Sequence, residues 1–114
     1  MIRDRETWIS GYRTLWMLVM FDLPVGDPAE RKAATGFRNF LLDQGFHMAQ
    51  FSVYYRLFTG RDAALAMDRK IAASVPDEGS VHVLTITDKQ YENIKTYQGR
   101  RAERPQKPDQ LALF

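Results

Sequence analysis

Residues 15–21 read Leu-Trp-Met-Leu-Val-Met-Phe, seven apolar side chains in succession, and the run stops on Asp22, Leu23 and Pro24. So short and uniformly apolar a stretch reads as a strand buried on both faces. Alternate residues of a strand point to opposite sides, so Leu15, Met17, Val19 and Phe21 face one way and Trp16, Leu18 and Met20 the other. The sheet that this strand joins has to be covered on both sides. Asp22 continues the second set, and two readings of it are open. Its carboxylate bonds amides of the 23–26 turn, as aspartates readily do, or it is held at the strand's mouth for chemistry.

The segments that follow are read from period and punctuation. Asp27-Pro28 supplies an N-cap and a first-turn proline, and Ala33, Ala34, Phe37, Phe40 and Leu41 recur at spacings of three and four, which predicts a helix over 28–43. Gln44-Gly45 ends it. Residues 46–58 are aromatic and β-branched but too long for one average strand, so two antiparallel strands are expected, over 46–50 and 52–58. After Thr59-Gly60 a second helix is predicted over 61–75, with Ala64, Met67, Ile71 and Val75 on one face. Residues 80–87 alternate, Val81 and Val83 against His82, Leu84 and Ile86, as in a half-exposed strand. Residues 88–92 read as a turn or short helical turn, and 93–98 as a short fifth edge strand.

The order strand–helix–strand–strand–helix–strand is the βαββαβ arrangement of an α+β, ferredoxin-like domain, with an antiparallel sheet and two helices on one face. Helices can cover only one side of the first strand. A second copy of the same sheet is the simplest cover for the other, so a homodimer is expected, with Trp16, Leu18 and Met20 in the interface and Asp22 at its edge.

The organisation expected is a polar leader (1–13), the ferredoxin-like domain (14–99), and a basic linker ending in the apolar tail Leu-Ala-Leu-Phe (100–114). With 114 residues, 45% of them hydrophobic, one domain with one core fits. The chain has no cysteine, which excludes disulfides and thiolate metal sites and fits a reducing compartment. No apolar run is long enough to span a bilayer, and the charged first residues do not resemble a secretory signal, so a cytoplasmic protein is expected. Net charge is only +2, but Lys95, Arg100, Arg101, Arg104 and Lys107 stand against Glu103 alone near the end of the chain, a local excess that attracts phosphate.

The strand end "VMFDLP", Glu30-Arg31-Lys32 entering the first helix, the step from Leu41 to Gly45-Phe46, and Gln50, Ser52, Val53 and Tyr54 opening a strand together resemble the CRISPR-associated protein 2 family. The resemblance covers residues 14–99, and the tail resembles those of members found beside compact type II systems. It implies a ferredoxin-like homodimer that joins the integrase, CRISPR-associated protein 1, holds a double-stranded DNA protospacer and acts in spacer acquisition, an antiviral defence. It also implies a magnesium-dependent endonuclease activity in some members, with the acid ending the first strand as metal ligand. Here that acid is Asp22, the candidate catalytic and metal-binding residue. Many members carry a tyrosine before it, and this chain departs from that pattern with Phe21.

Phosphodiester hydrolysis with Mg2+ suits such a site, because magnesium is satisfied by one or two carboxylates plus waters and phosphate oxygens, and a symmetric dimer brings two copies of Asp22. Arg31, Arg38 and Arg56, with Arg100, Arg101 and Arg104, are candidate phosphate contacts that would read backbone charge and not sequence. The substrate is expected to be DNA or single-stranded RNA. His47, His82 and Ser52 lack partners at catalytic spacing and read as structural. The aromatics of 51–58 lack the signature of an RNA-recognition module and read as packing. A nuclease and a non-catalytic adaptor that only scaffolds the integrase are both compatible with an intact Asp22.

Overall fold

The computed structural model describes residues 13–99; the leader before them and the basic linker and tail after them lie outside the described residues. The elements run β1 (Thr14–Asp22), α1 (Pro28–Asp43), β2 (His47–Gln50), β3 (Val53–Thr59), α2 (Arg61–Ser74), β4 (Ser80–Thr87) and α3 (Asp88–Glu92). The four strands form one antiparallel sheet in the order β2-β3-β1-β4. This is the ferredoxin-like α+β arrangement that the order of segments predicts.

Local chemistry fixes both ends of α1. The Asp27 carboxylate accepts from Glu30 N at 2.8 Å, and Glu30 Oε1 accepts in return from Asp27 N at 3.2 Å, which is a capping box behind a first-turn proline. At the other end Gly45 has φ +85°. Phe46 N reaches back to Leu41 O and Gly45 N to Leu42 O, each at 3.0 Å. This is a Schellman closure, which favours glycine at that position and seats an apolar residue after it. Phe46 is buried accordingly.

Met17, Val19 and Phe21 turn toward the helices and join Phe37, Leu41, Tyr54, Phe58, Met67 and Ile71 in one core. Phe21 meets Phe37 edge-on at 5.3 Å and lies against Tyr54 at 5.6 Å. Of the expected helix stripes, Ala34, Phe37, Leu41, Ala64, Met67 and Ile71 are buried, whereas Ala33 and Val75 are exposed. The other parity of β1 therefore belongs to the side of the sheet away from α1 and α2, and Asp22 with it.

Two details differ from expectation. The β2–β3 pairing shifts by one residue between Met48 and Gln50, a bulge that adds twist next to the turn at Phe51 and Ser52. The fifth strand expected over 93–98 does not form: α3 ends at Glu92 and residues 94–99 are irregular. Thr87 and Gln90 make a second capping box, which turns the chain into a helix as soon as β4 ends. The helix then docks on Trp16, whose ring stacks on Tyr91 with centroids 3.9 Å apart, and this contact leads the chain across the sheet instead of along β4.

Candidate functional site

Asp22 is the last residue of β1, exposed, and paired in register with Ser80 at the start of β4. Its side chain makes no hydrogen bond to the described residues. The turn beside it is closed by another acid: Glu30 Oε1 accepts from Gly26 N at 2.9 Å as well as from Asp27 N, and Arg31 Nη1 donates to Val25 O at 3.3 Å. The 23–27 loop is thus stabilised without Asp22, which leaves its carboxylate facing solvent at the end of a strand whose preceding residues are buried or half-buried.

Gly79 holds the backbone of Asp22 in place from the other side. It has φ +95°, and a Cβ built on it would stand 2.6 Å from Asp22 O and 2.8 Å from Leu23 Cδ2. No side chain fits there, and the close approach lets Ser80 pair with Asp22. Nothing local in the sequence marks this role beyond a glycine in a turn.

On the side of the sheet away from α1 and α2, beginning two residues before Asp22, lies a largely apolar groove of about 590 Å³ lined by Leu18, Met20, Val53, Leu84, Ile86 and Ile94 together with Gln50 and Gln90. The three residues expected in a dimer interface differ in their surroundings. Trp16 is already engaged within its own chain, stacked on Tyr91 and donating from Nε1 to Asp88 Oδ1 at 2.9 Å. Leu18 is buried, 5% exposed. Met20 is half-buried in the groove, and the largest exposed apolar surface beside it is Leu84, 48% exposed.

The candidate phosphate contacts also separate. Arg31 is exposed near the start of α1. Arg38 lies over the Phe51 ring, Cζ 4.8 Å from its centroid. Arg56 donates from Nη1 to Gln44 O at 2.8 Å and covers the Phe58 ring at 4.4 Å, tying β3 to the end of α1. Arg38 and Arg56 are therefore built into the packing. Arg100, Arg101 and Arg104 fall outside the described residues. Burial pushes the Tyr54 hydroxyl above its ordinary pKa, and the Arg38 guanidinium beside it pulls the other way. His47 leans on Tyr55 at 5.5 Å, and His82 stands exposed opposite Met20. No group of three or more His, Asp or Glu side chains among the described residues is placed to hold a metal ion by itself.

The profile of the family described as CRISPR associated protein Cas2 matches residues 15–94, from the start of β1 to just beyond α3. The chain belongs to the Cas2 family. Relatives bearing the name CRISPR-associated endoribonuclease Cas2 align along nearly the whole sequence. The one from Paracidovorax avenae is 52% identical over 107 residues, 93% of this chain and 99% of its own. The one from Flavobacterium psychrophilum is 42% identical over 115 residues, all of both chains. A third, from Acidovorax ebreus, is 48% identical over 100 residues, 86% of this chain and 98% of its own. The Cas2 match spans Asp22, Gly79, the groove and the β2–β3 hairpin, so the whole site lies within the family's shared region. No helix of the described residues is long and apolar enough to cross a membrane.

Proposed function

We propose that this Cas2 chain is a magnesium-dependent endoribonuclease that works as a homodimer, with Asp22 of each protomer holding the metal. The reading places it beside the integrase CRISPR-associated protein 1 in spacer acquisition, where protospacer DNA would be held by backbone contacts from its basic residues. The observation that carries the nuclease reading is the Asp22 carboxylate itself, exposed at the end of a largely buried strand and bonded to none of the described residues. Its backbone is set by the close approach of Gly79 and by the pairing with Ser80, so the carboxylate projects from a defined point at the strand's end.

The donor set suits a hard cation that keeps much of its water. An oxygen ligand from one or two carboxylates is what Mg2+ takes from a protein when phosphate supplies the remainder. When bound, magnesium neutralises charge on the phosphate and activates a water. The chain's own part is to hold the backbone of Asp22 at the end of β1, and the groove that begins at Met20 would supply the apolar surface through which a second copy brings its own Asp22. The name that the relatives bear, endoribonuclease, supports RNA as the substrate class.

The test is Asp22→Asn in the full chain with labelled single-stranded RNA, with magnesium and with chelator. Wild type should cleave only with the metal, and the variant should cleave at background with magnesium present. Its melting temperature should stay near wild type, because a solvated side chain without partners contributes within about 0.5 kcal/mol. Cleavage by rigorously purified Asp22→Asn protein would remove Asp22 from the mechanism. The groove would equally serve a scaffold, and spacer acquisition retained in cells carrying Asp22→Asn would make scaffolding the main role.

A further inference from the structure

Phe51 stands at the tip of the β2–β3 hairpin with 73% of its surface exposed. Tight turns favour glycine, asparagine and aspartate, and this ring takes no part in the core. It is nevertheless not left loose. Arg38 reaches from α1 to lie across it, 4.8 Å from the centroid, and Arg38 Nε is buried there without a hydrogen-bond partner. A guanidinium held over a ring restrains its orientation, and the high exposure leaves most of the ring open to solvent. The hairpin tip is anchored as well: Phe21 N donates to Ser52 O at 3.1 Å. The next residues outward on the two segments are Asp22 and Phe51.

An oriented aromatic ring, open on one face and positively charged on the other, suits an unpaired nucleobase. Every base offers a flat face, so such a contact holds a strand without reading its sequence. We propose that Phe51 is a stacking platform for one unpaired base of a single-stranded RNA, setting the strand in place beside Asp22. The inference rests on the nuclease reading for what the strand is positioned against, while the stacking itself requires no cleavage.

Binding is measured on the full chain in chelator, so that nothing is cut, using a short oligouridylate carrying a single 2-aminopurine moved along the strand. Wild type should quench the probe at one position more than at the others. Phe51→Ala should abolish that quenching and weaken binding about 5- to 140-fold, which is the range of a base–aromatic stack of 1–3 kcal/mol. Phe51→Trp should restore both. A base-paired version of the strand should show no dependence on residue 51. Uniform quenching in wild type, unchanged binding by Phe51→Ala, or a drop in sedimentation coefficient that tracks the lost binding would overturn the platform, the last by assigning Phe51 to contact between protomers. If Phe51-dependent quenching is found but Asp22→Asn still cleaves, the platform stands and the nuclease reading alone fails.

Discussion

The indole of Trp16 lies flat on the ring of Tyr91, planes 10° apart, and its Nε1–H is satisfied by Asp88. The helix α3 is thereby fastened to β1, and three consequences of the contact can be measured. Tyr91→Ala should lower unfolding stability by at least the ~0.5–1.5 kcal/mol of an aromatic pair, read by urea denaturation. Tryptophan emission should shift to the red. Asp88→Asn should cost less, since an amide oxygen still accepts from the indole.

Removing one carboxylate should loosen the loop beside the site. Glu30 serves two backbone amides, and loss of a cap typically costs about 0.5–2 kcal/mol. Glu30→Ala should fall in that range by thermal or chemical unfolding, whereas Asp22→Ala should hardly move the same curve. Equal losses for the two would mean that Asp22 also supports the loop.

The two glycines Gly79 and Gly36 should respond in opposite directions to alanine. Gly79 combines φ +95° with backbone 2.6 Å from the added carbon, so Gly79→Ala should cost at least the ~1–3 kcal/mol of a strained backbone and disturb cleavage through Asp22. Gly36 lies within α1 with nothing within 4 Å of an added Cβ. Gly36→Ala should stabilise by about 0.4–1 kcal/mol and leave RNA cleavage unchanged.

The proposed dimerisation through the groove is best probed at Leu84. Leu18 is so buried within the protomer that Leu18→Asp would damage the fold itself, whereas Leu84 is half exposed. Leu84→Asp should shift sedimentation from dimer to monomer with the melting temperature largely kept. A wild-type protein already monomeric at micromolar concentration would end the shared-site argument.

Alkaline pH should weaken the fold through two tyrosines. Burial raises the pKa of Tyr91, with Tyr55 and Asp88 adding to it, and burial raises that of Tyr54 against the opposing Arg38, both from an ordinary 10.0. The native state then holds protons that the unfolded chain has released, so stability is complete below the ordinary value and is lost as pH rises through the raised ones. Tyr91→Phe should flatten the fall in a series of denaturation curves, and tyrosinate absorbance should appear late in the folded protein.

Where signals are local, the sequence is legible. Asp27-Pro28 and Gln44-Gly45 bracket α1 over the residues it occupies, alternation delimits β4, and the parity of β1 places Asp22 on the side away from the helices. Contacts between distant segments are not written in this way. The Thr87–Gln90 capping box is visible in the sequence and argues for a helix after β4, but its docking joins residues 72 positions apart, and residues 94–99 run irregularly after it instead of pairing with β4. Arg38 and Arg56 look like surface cations until the rings beneath them are seen. Phe51 reads as packing within an aromatic segment, because only the turn reveals that it points outward. The candidate site divides in the same way: the acid is conspicuous, but the capture of the turn amides by Glu30 and the approach of Gly79 depend on the folded chain.

The bulge between Met48 and Gln50 gives the sheet two unequal borders. On the β2 side the border is four residues long and broken in register, which offers an incoming strand few aligned amides and carbonyls. On the β4 side it is eight residues long and regular. Irregular, short borders discourage strand addition and long regular ones invite it. Among the described residues β4 is therefore the border at which a chain extending this sheet, an ordered partner or an aggregating copy, should add, and slowed amide exchange along β4 is where that event would first be seen.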